Sequence, residues 1–302
     1  FHIVPAPTVR QTASKLQASI VSTQLNEFSS HISADTASKF WPAGEEAALK
    51  RLDIFCQHHI RGYKDNRDYP LHPEGTSRLS PYLAVGAISA RQCFQAAINE
   101  QHAYGQSDGI DCWISELAWR DFYKHLMFAY PHLCKHKAFK ANTDNIVWRH
   151  DQADFQRWCE GKTGFPIVDA AMRQLLTTGW MHNRTRMVVA SFLVKDLHIE
   201  WQHGANFFME HLVDYDPASN SHGWQWTAGC GTDASPYYRV FNPIEQGRKF
   251  DPNGDYIRKY VPELRDVPTE LIHEPGLSYI APIVDHKVER MEALARLEEL
   301  KG

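Results

Sequence analysis

Apolar residues recur at helical spacing in separate segments of this chain, each bounded by polar, proline or glycine residues. The strongest such pattern runs from Trp113 to Tyr130 and stops at Pro131, a residue that cannot continue a helix. Another begins at Pro166 and stops at Gly179, the residue type most often found just after a helix. These two patterns predict long helices.

Weaker patterns of the same kind predict further helices, and no segment shows the strict alternation of apolar and polar residues that is typical of a strand. We therefore predict an all-α multi-helix fold without internal repeats. The weaker helices are expected at about residues 43–60, from 80, 89–97, 182–196, 206–212 and 284–300. Two segments rich in Gly, Pro, Asn and Ser, residues 63–76 and 214–254, are predicted as loops.

Residues 1–40 differ in composition from the rest, being rich in Ser, Thr, Ala and Gln. We predict that they form an extended lead-in, and that residues 41–302 form the helical domain. The length allows a deep core. No stretch approaches the roughly 20 apolar residues that span a membrane.

The charge balance excludes a surface that is basic all over, because 32 Lys and Arg face 36 Asp and Glu and the net charge is −4. A local basic patch is still predicted, since residues 173–195 contain four Lys or Arg and no acid. The six Cys include no CxxC pair and no zinc-binding pattern with His, so we expect no metal site, reduced thiols and a cytoplasmic location.

The segment Gly75–Ser80 combines three hydroxyl side chains with the guanidinium of Arg78, directly before a predicted helix start. We expect Ser80 to be the N-cap of that helix and Pro81 its first residue. Unpaired N–H groups at such a position suit a phosphate. An ordinary capped loop is the alternative, and these residues alone favour it.

In the Trp113–Tyr130 helix, the residues Glu116, Trp119, Arg120 and Tyr123 share one face. The simplest interpretation of this face is a solvated Glu116–Arg120 ion pair, which would contribute little to stability. This interpretation does not account for Trp119, because an indole is unusual on a fully solvated helix face.

Polar and aromatic groups also concentrate in the predicted loop after Asp214, where functional residues are common. Asp214 and Asp216 have the Asp-x-Asp spacing of a Ca²⁺ or Mg²⁺ site, but the further ligands of a calcium loop are missing. Asn183 and Met187, one turn apart, would point the same way. Together these features fit a nucleotide cofactor or single-stranded nucleic acid, and composition does not choose between the two.

Five motifs occur in an order that resembles the flavin-binding half of the DNA photolyase and cryptochrome family, most closely the bacterial class I enzymes that act on cyclobutane pyrimidine dimers. The similarity covers about residues 40–295. The motifs are Gly75–Ser80, Trp113–Tyr123 with Glu116, Trp119 and Arg120, Gly164–Leu175, Trp180–Arg186, and Asn220–Trp226.

The resemblance implies one non-covalent FAD, active in its reduced form, inside the helical domain. Arg186 and Asp214 match an ion pair beneath the flavin, and Asn220 matches the residue that faces flavin N5, where an amide favours a reduced flavin. The complete set of implied FAD-binding residues is Tyr63, Thr76, Ser77, Arg78, Leu79, Ser80, Trp113, Arg120, Arg186, Asp214, Tyr215, Asp216 and Asn220.

The resemblance also implies light-driven repair of pyrimidine dimers in DNA, by a carbon–carbon lyase that transfers an electron to a flipped dimer. Glu116 and Asn183 match its hydrogen-bonding groups, Trp119 and Trp226 its stacking indoles, and Met187 an apolar contact. The implied DNA-contact residues are Arg67, Arg184 and Gln246, and the implied electron-transfer chain is Trp148, Trp201 and Trp224, each of which is otherwise explained as a core aromatic.

Members of the family usually carry an upstream α/β antenna domain that would bind a folate or deazaflavin chromophore, and residues 1–40 resemble the linker that follows it. Ser115, Ser221 and His222 depart from the Asn, Asn and Gly that are common in relatives. The resemblance further implies a bacterial, cytoplasmic, monomeric protein that associates with nucleoid DNA and not with membranes. A cryptochrome photoreceptor without repair activity, or one selective for single strands, and an inert flavin- or DNA-binding remnant are the alternatives.

Overall fold

The helices bury their apolar faces in two groups. The two groups meet along the long helix Asp108–Ala129. The computed structural model of the protein describes residues 38–232 and 239–299. Within these two ranges there is no β-strand, which confirms the all-α prediction. Across the same ranges, no helix combines the length and the apolar character needed to cross a bilayer.

Within the described ranges, eight α-helices overlap predicted segments, whereas those at 63–66, 152–159, 217–228, 243–250 and 255–260 were not predicted. In chain order they are α1 Glu45–His58, α2 Tyr63–Asn66, α3 Ser80–Ala84, α4 Ala90–Tyr104, α5 Asp108–Ala129, α6 Gln152–Cys159, α7 Pro166–Thr178, α8 Asn183–Ser191, α9 Trp201–His211, α10 Pro217–Ala228, α11 Pro243–Phe250, α12 Asp255–Tyr260 and α13 His286–Glu299. A π-helical turn, Phe192–Asp196, continues α8.

The first group packs α1, α4 and the start of α5 around a small core that includes Phe55 and Trp113. Local signals fix its helix starts. Ser89 forms a capping box with Gln92 before α4, and Ser107 accepts a hydrogen bond from Gly109 N–H at the start of α5. Since α5 begins at this cap, it is one turn longer than the predicted helix.

The second group surrounds α7, which is buried along most of its length. As predicted, Pro166 is the first residue of α7, and Gly179 ends it in the left-handed conformation with φ of 68°. Around α7 lie α6, α8, α11 and α12. The larger core also contains apolar side chains of α9 and α10. This core supports the candidate site.

The Gly164–Leu175 motif is a structural anchor in this second group. Buried Asp169 accepts hydrogen bonds from the N–H and hydroxyl of Thr163, from Gly164 N–H and from the hydroxyl of Tyr279. A side chain at Gly164 would lie 2.6 Å from the backbone of Pro282, and its φ is +83°. The C-terminal part of the chain is thereby fixed across α7.

Helix α13 is held by an ionic network. Arg149 pairs with Glu289 at 2.8 Å and with Glu292 at 2.5 Å, and His198 contacts Glu289 at 2.8 Å. His198, Glu289 and Glu292 together could offer ligands to a metal ion. Since Arg149 already neutralises both carboxylates, this cluster is explained by helix docking.

The prediction of a loop over residues 214–254 is wrong, because that segment contains α10 and α11. Asp216 accepts a hydrogen bond from Ser219 N–H at 3.0 Å, and Pro217 is the first residue of α10. Asn242 and Pro243 start α11 in the same way. Gly and Ser within α10 are poor helix formers, but packing against α9 and α5 overrides that preference.

A further difference concerns the short helix α3. The N-cap of α3 is Leu79 and not Ser80, so the predicted capping role of Ser80 is wrong. The boundary at residue 41 stays a prediction, since residues 1–37 lie outside the described ranges. Trp41 is attached to the second group, because its Nε1 donates to Thr178 O at 2.8 Å.

Candidate functional site

A cavity of about 160 Å³ opens between α8, α9 and α10. Residues predicted from two distant parts of the sequence meet in its wall: Asn183, Arg186, Met187, Asp214, Tyr215, Asp216, Asn220 and Trp224. The remaining wall is mostly apolar and includes Ala190, Phe208 and Leu212.

Arg186 and Asp214 form an ion pair in this wall, and their hydrogen bonds hold both side chains in place. Arg186 Nη2 donates to both oxygens of Asp214, at 2.7 and 3.0 Å, and Arg186 Nε donates to Met181 O at 2.8 Å. The carboxylate side chain is only 2% exposed. A buried charge needs such a partner, so the pair keeps a fixed dipole at the cavity.

Asn220 has its amide fixed by the neighbouring helix. Its Nδ2 donates to Ala205 O of α9 at 3.0 Å, which orients the side chain at the cavity wall. An oriented amide presents a neutral dipole, not a charge, to any bound group. This chemistry fits the flavin role that the family resemblance implies for Asn220.

Asp216 connects α10 to α5, and its neighbours favour the charged form of its carboxyl group. Lys124 Nζ lies 3.0 Å from its Oδ2, and Arg120 Nη2 lies 3.9 Å away. Burial opposes ionisation, but the Ser219 N–H and Lys124 outweigh it and lower the pKa of Asp216. The sequence reasoning missed Lys124, although it follows Arg120 by one helical turn on the same face.

On the exposed face of α5, Glu116 and Arg120 have other partners than the predicted pairing with each other. Glu116 pairs with Arg67 at 2.5 Å, whereas Arg120 donates to Leu83 O at 3.0 Å. The expected Glu116–Arg120 pair is therefore wrong for this face. Trp119 is half exposed, at 49%, as a surface for stacking would require.

The predicted basic patch over residues 173–195 is largely neutralised in the fold. Arg173 pairs with Glu263 at 2.7 Å, Arg184 with Asp68 at 2.8 Å and Arg186 with Asp214. Lys195 is buried and donates to Arg239 O, and burial lowers its pKa to about 8. Charge counted along the sequence thus misjudged the surface, because the acids come from other segments.

The Gly75–Ser80 segment lies against Trp180 and outside the wall of the cavity. Ser80 Oγ accepts a hydrogen bond from Trp180 Nε1 at 3.3 Å, and the Arg78 guanidinium lies 5.9 Å from the Trp180 ring centroid. Arg78 has a φ of 49°, which is uncommon for a residue other than glycine. The three residues Tyr63, Leu79 and Trp113 are buried in the first core, so their side chains are packing residues here.

The three tryptophans of the predicted electron-transfer chain have different environments. Trp224 lines the cavity and is 2% exposed, Trp201 is 3% exposed, and Trp148 borders a second, smaller cavity under α13. Trp224 packs on Trp158, with ring centroids 6.2 Å apart. Trp158, which the sequence reasoning missed, is therefore an indole in ring contact with Trp224. The electron-transfer role stays a prediction.

Two other predicted residues lie outside the cavity wall. The Trp226 ring is 6.4 Å from that of Phe241. Gln246, on α11, has a buried Oε1 that accepts no hydrogen bond from residues 38–232 or 239–299. Their predicted roles, stacking for Trp226 and DNA contact for Gln246, stay predictions.

The helical fold and the cavity that holds the Arg186–Asp214 pair define a domain with a candidate cofactor site. A family profile described as "FAD binding domain of DNA photolyase" matches residues 113–299. The chain belongs to this family, and FAD is confirmed as its cofactor. The residues in the cavity wall fit that group.

Named relatives agree with this assignment. The chain is 51% identical over 275 residues to the deoxyribodipyrimidine photo-lyase of Escherichia coli, covering 88% of this chain and 58% of that protein. A solved class III photolyase from Agrobacterium tumefaciens has a TM-score of 0.84 at 42% identity, over 98% of this chain and 63% of the other. A Synechocystis cryptochrome has a TM-score of 0.79 at 35% identity, over 84% and 56%. The chain therefore spans about three-fifths of the length of these relatives.

Proposed function

We propose that this protein is a deoxyribodipyrimidine photo-lyase that repairs cyclobutane pyrimidine dimers in DNA under light. One observation carries the proposal: residues predicted for the cofactor and for the substrate share one cavity. Asn183 and Met187 line the same wall as Asp214 and Asn220, and Asn183 Nδ2 lies 3.9 Å from Met187 Sδ. Transfer of an electron from cofactor to lesion requires such adjacency.

The residues would act mainly by binding and orientation. FAD supplies the light-excited electron donor when it is bound in its reduced form. Arg186 and Asp214 would hold a fixed charge pair against it, and Asn220 would offer an oriented amide in place of a repelling carboxylate. Apolar wall residues such as Phe208 and Leu212 would limit the access of water to the site.

On the substrate side, Glu116 and Asn183 would hydrogen-bond the flipped dimer, and Trp119 and Trp226 would stack against it. A dimer has already lost part of its stacking, so extrusion costs less there than at intact bases. Arg67, Arg184 and Gln246 would contact the DNA backbone. We further propose a monomeric, cytoplasmic protein.

A photoreceptor of the cryptochrome type is the second candidate, supported by the similarity to the Synechocystis cryptochrome. Asn220 and Trp226 favour repair, because they match the residue types that the resemblance associates with photolyases acting on duplex DNA. Both candidate functions use FAD, but only the photo-lyase would split the pyrimidine dimer.

Illumination of the FAD-loaded protein with a dimer-containing oligonucleotide and a reductant separates the candidates. We expect light-dependent loss of the dimer, measured by chromatography, and no loss in the dark. Bound FAD with an unchanged dimer would reject repair and leave the photoreceptor. An undamaged oligonucleotide is the control for non-specific photochemistry.

A further inference from the structure

Three aromatic rings form a continuous stack beside the cavity. The Trp119 and Tyr123 ring centroids are 5.8 Å apart with planes 28° from parallel, and Tyr123 and His222 are 4.9 Å apart at 20°. Trp119 and Tyr123 lie one turn apart on α5, whereas His222 belongs to α10. The stack therefore connects the surface of α5 to the helix that carries Asn220 and Trp224.

Exposure falls steeply along the stack. Trp119 is 49% exposed at its outer end, and His222 is 3% exposed at its inner end. The inner ring is fixed, because His222 Nδ1 donates to Ala218 O at 2.8 Å within α10. Burial also lowers the pKa of His222, so the ring is neutral near pH 7 and stacks without the cost of a buried charge.

The outer ring has one more neighbour. Phe122 meets Trp119 edge-on, with centroids 5.5 Å apart and planes at 83°. A half-exposed indole held on one edge alone would keep considerable rotamer freedom, and ordering it on binding would cost free energy. Stacking on Tyr123, which is backed by His222, removes that freedom before any ligand arrives.

We propose that His222 is a positioning residue for lesion recognition, which holds Tyr123 and through it sets the plane of Trp119 on which a flipped base stacks. The inference rests on the proposed function, because it assigns Trp119 to the lesion. His222 itself is far too buried to touch DNA. Its effect must therefore be seen as a change in discrimination between damaged and undamaged strands.

Three substitutions separate the ring of His222 from its hydrogen bond. His222→Phe keeps a ring and loses the donor to Ala218, His222→Asn keeps a donor and loses the ring, and His222→Ala loses both. Dissociation constants for dimer-containing and undamaged single strands are measured in the dark, so that no repair intervenes. The FAD-loaded protein is used throughout, with flavin absorbance as the check on folding.

The stack predicts that the Asn and Ala variants bind the dimer roughly 3- to 10-fold more weakly, while binding of undamaged strands is unchanged. The Phe variant should restore dimer affinity to within about twofold of the wild type. Phe128→Ala removes an exposed ring on the same helix, outside the stack, and is the matched control with wild-type discrimination expected.

Wild-type discrimination by His222→Asn, or equal losses in the Phe and Ala variants, would overturn the role of the ring. If substitution of His222 releases FAD, the same comparison is made with Tyr123→Phe, which should retain discrimination, and Tyr123→Leu, which should lose it. A wild-type protein that does not prefer the dimer would reject the proposed function. If all variants preferred the dimer-containing strand as strongly as the wild type does, the positioning role of His222 would be rejected and the proposed function would stand.

Discussion

Glu116 of α5 and Arg67, which follows the short helix α2, form an ion pair with Oε1 and Nη1 2.5 Å apart. Arg67 also lies over the Tyr63 ring, 5.4 Å from its centroid, and donates to Cys112 Sγ. Burial lowers the pKa of Arg67, but Tyr63 and Glu116 outweigh it and raise the pKa overall. Arg67, which is proposed to contact DNA, is thus paired with Glu116, which is proposed to contact the lesion. A DNA phosphate must therefore compete with Glu116 for Arg67.

Replacing Glu116 should therefore separate lesion recognition from general DNA binding. In Glu116→Gln we expect roughly 10-fold weaker binding of a dimer-containing strand, because an acceptor for the flipped base loses its charge. Binding of undamaged DNA should not fall, since Arg67 is released to contact phosphate. Fluorescence anisotropy with the two strands measures both quantities.

Glu270→Gln is the matched control for Glu116→Gln, because it removes an equal charge from an exposed position away from α5. It should leave both affinities unchanged. Equal weakening of both strands by Glu116→Gln would show that Glu116 acts through folding and not through the lesion. Loss of bound flavin would instead place Glu116 in the cofactor site.

The Arg186–Asp214 pair predicts the behaviour of a cofactor-site variant. Asp214→Asn leaves a guanidinium without its buried counter-charge, which should destabilise the protein by on the order of 3 kcal/mol. We also expect weaker retention of FAD, because the floor of the cavity loses its fixed dipole. Dialysis followed by flavin absorbance measures retention, and denaturant unfolding measures stability. Retention equal to that of the wild type would remove the pair from the FAD site.

Trp224, which lines the cavity, is predicted to belong to the chain of indoles that reduces oxidised flavin in light. Trp224→Phe should abolish photoreduction of bound FAD and spare dimer repair by enzyme reduced chemically beforehand. The absorbance of the oxidised flavin under illumination measures the first, and dimer loss measures the second. Trp158→Phe is the informative companion variant, since that indole packs on Trp224. Photoreduction that continues unchanged in Trp224→Phe would refute the assignment.

Packing around Trp224 gives a separate stability prediction. An added Cβ at Gly204 of α9 would lie 2.1 Å from the Trp224 ring, so Gly204→Ala must displace the indole. Overpacking of this kind costs about 1–3 kcal/mol. The cost should shrink when Gly204→Ala is combined with Trp224→Phe, because the smaller ring leaves room. Additive losses in the double variant would contradict this contact.

His182 predicts how stability depends on pH. It caps α8 by accepting Arg184 N–H at its Nδ1, and its buried Nε2 has no hydrogen-bond partner among the residues that the structure describes. Burial lowers its pKa from 6.5 to about 3, aided by the nearby arginines. A depressed pKa gives stability that is present above pH 6.5 and is lost as the pH falls toward 3. Between pH 7 and pH 5 the loss should be about 2 kcal/mol.

His182→Asn tests this dependence without removing the cap, because Asn accepts the same backbone hydrogen bond. Denaturant unfolding at pH 7 and pH 5 should show a smaller loss of stability in the variant than in the wild type. Equal losses in the two proteins would mean that His182 does not carry the acid sensitivity.

The sequence by itself determined the elements whose signals are local. Pro166 and Gly179 bound α7 as predicted, and Ser89 caps α4, because a proline, a left-handed glycine and a capping hydroxyl act within one helical turn. The ordered motifs also identified the family. The loop prediction over α10 failed, because the packing that stabilises this helix involves residues far away in the sequence.

Only the tertiary structure decided which charges meet. Glu116 could have paired with Arg120 on its own helix, yet its partner is Arg67, 49 residues earlier in the chain. The basic residues 173–195 are neutralised by Asp68, Asp214 and Glu263, which no local pattern connects to them. The stack of Trp119 on Tyr123 and His222 arises in the same way. Ion pairs and ring contacts depend on the approach of separate helices, and that approach is set by the shared core, not by sequence spacing.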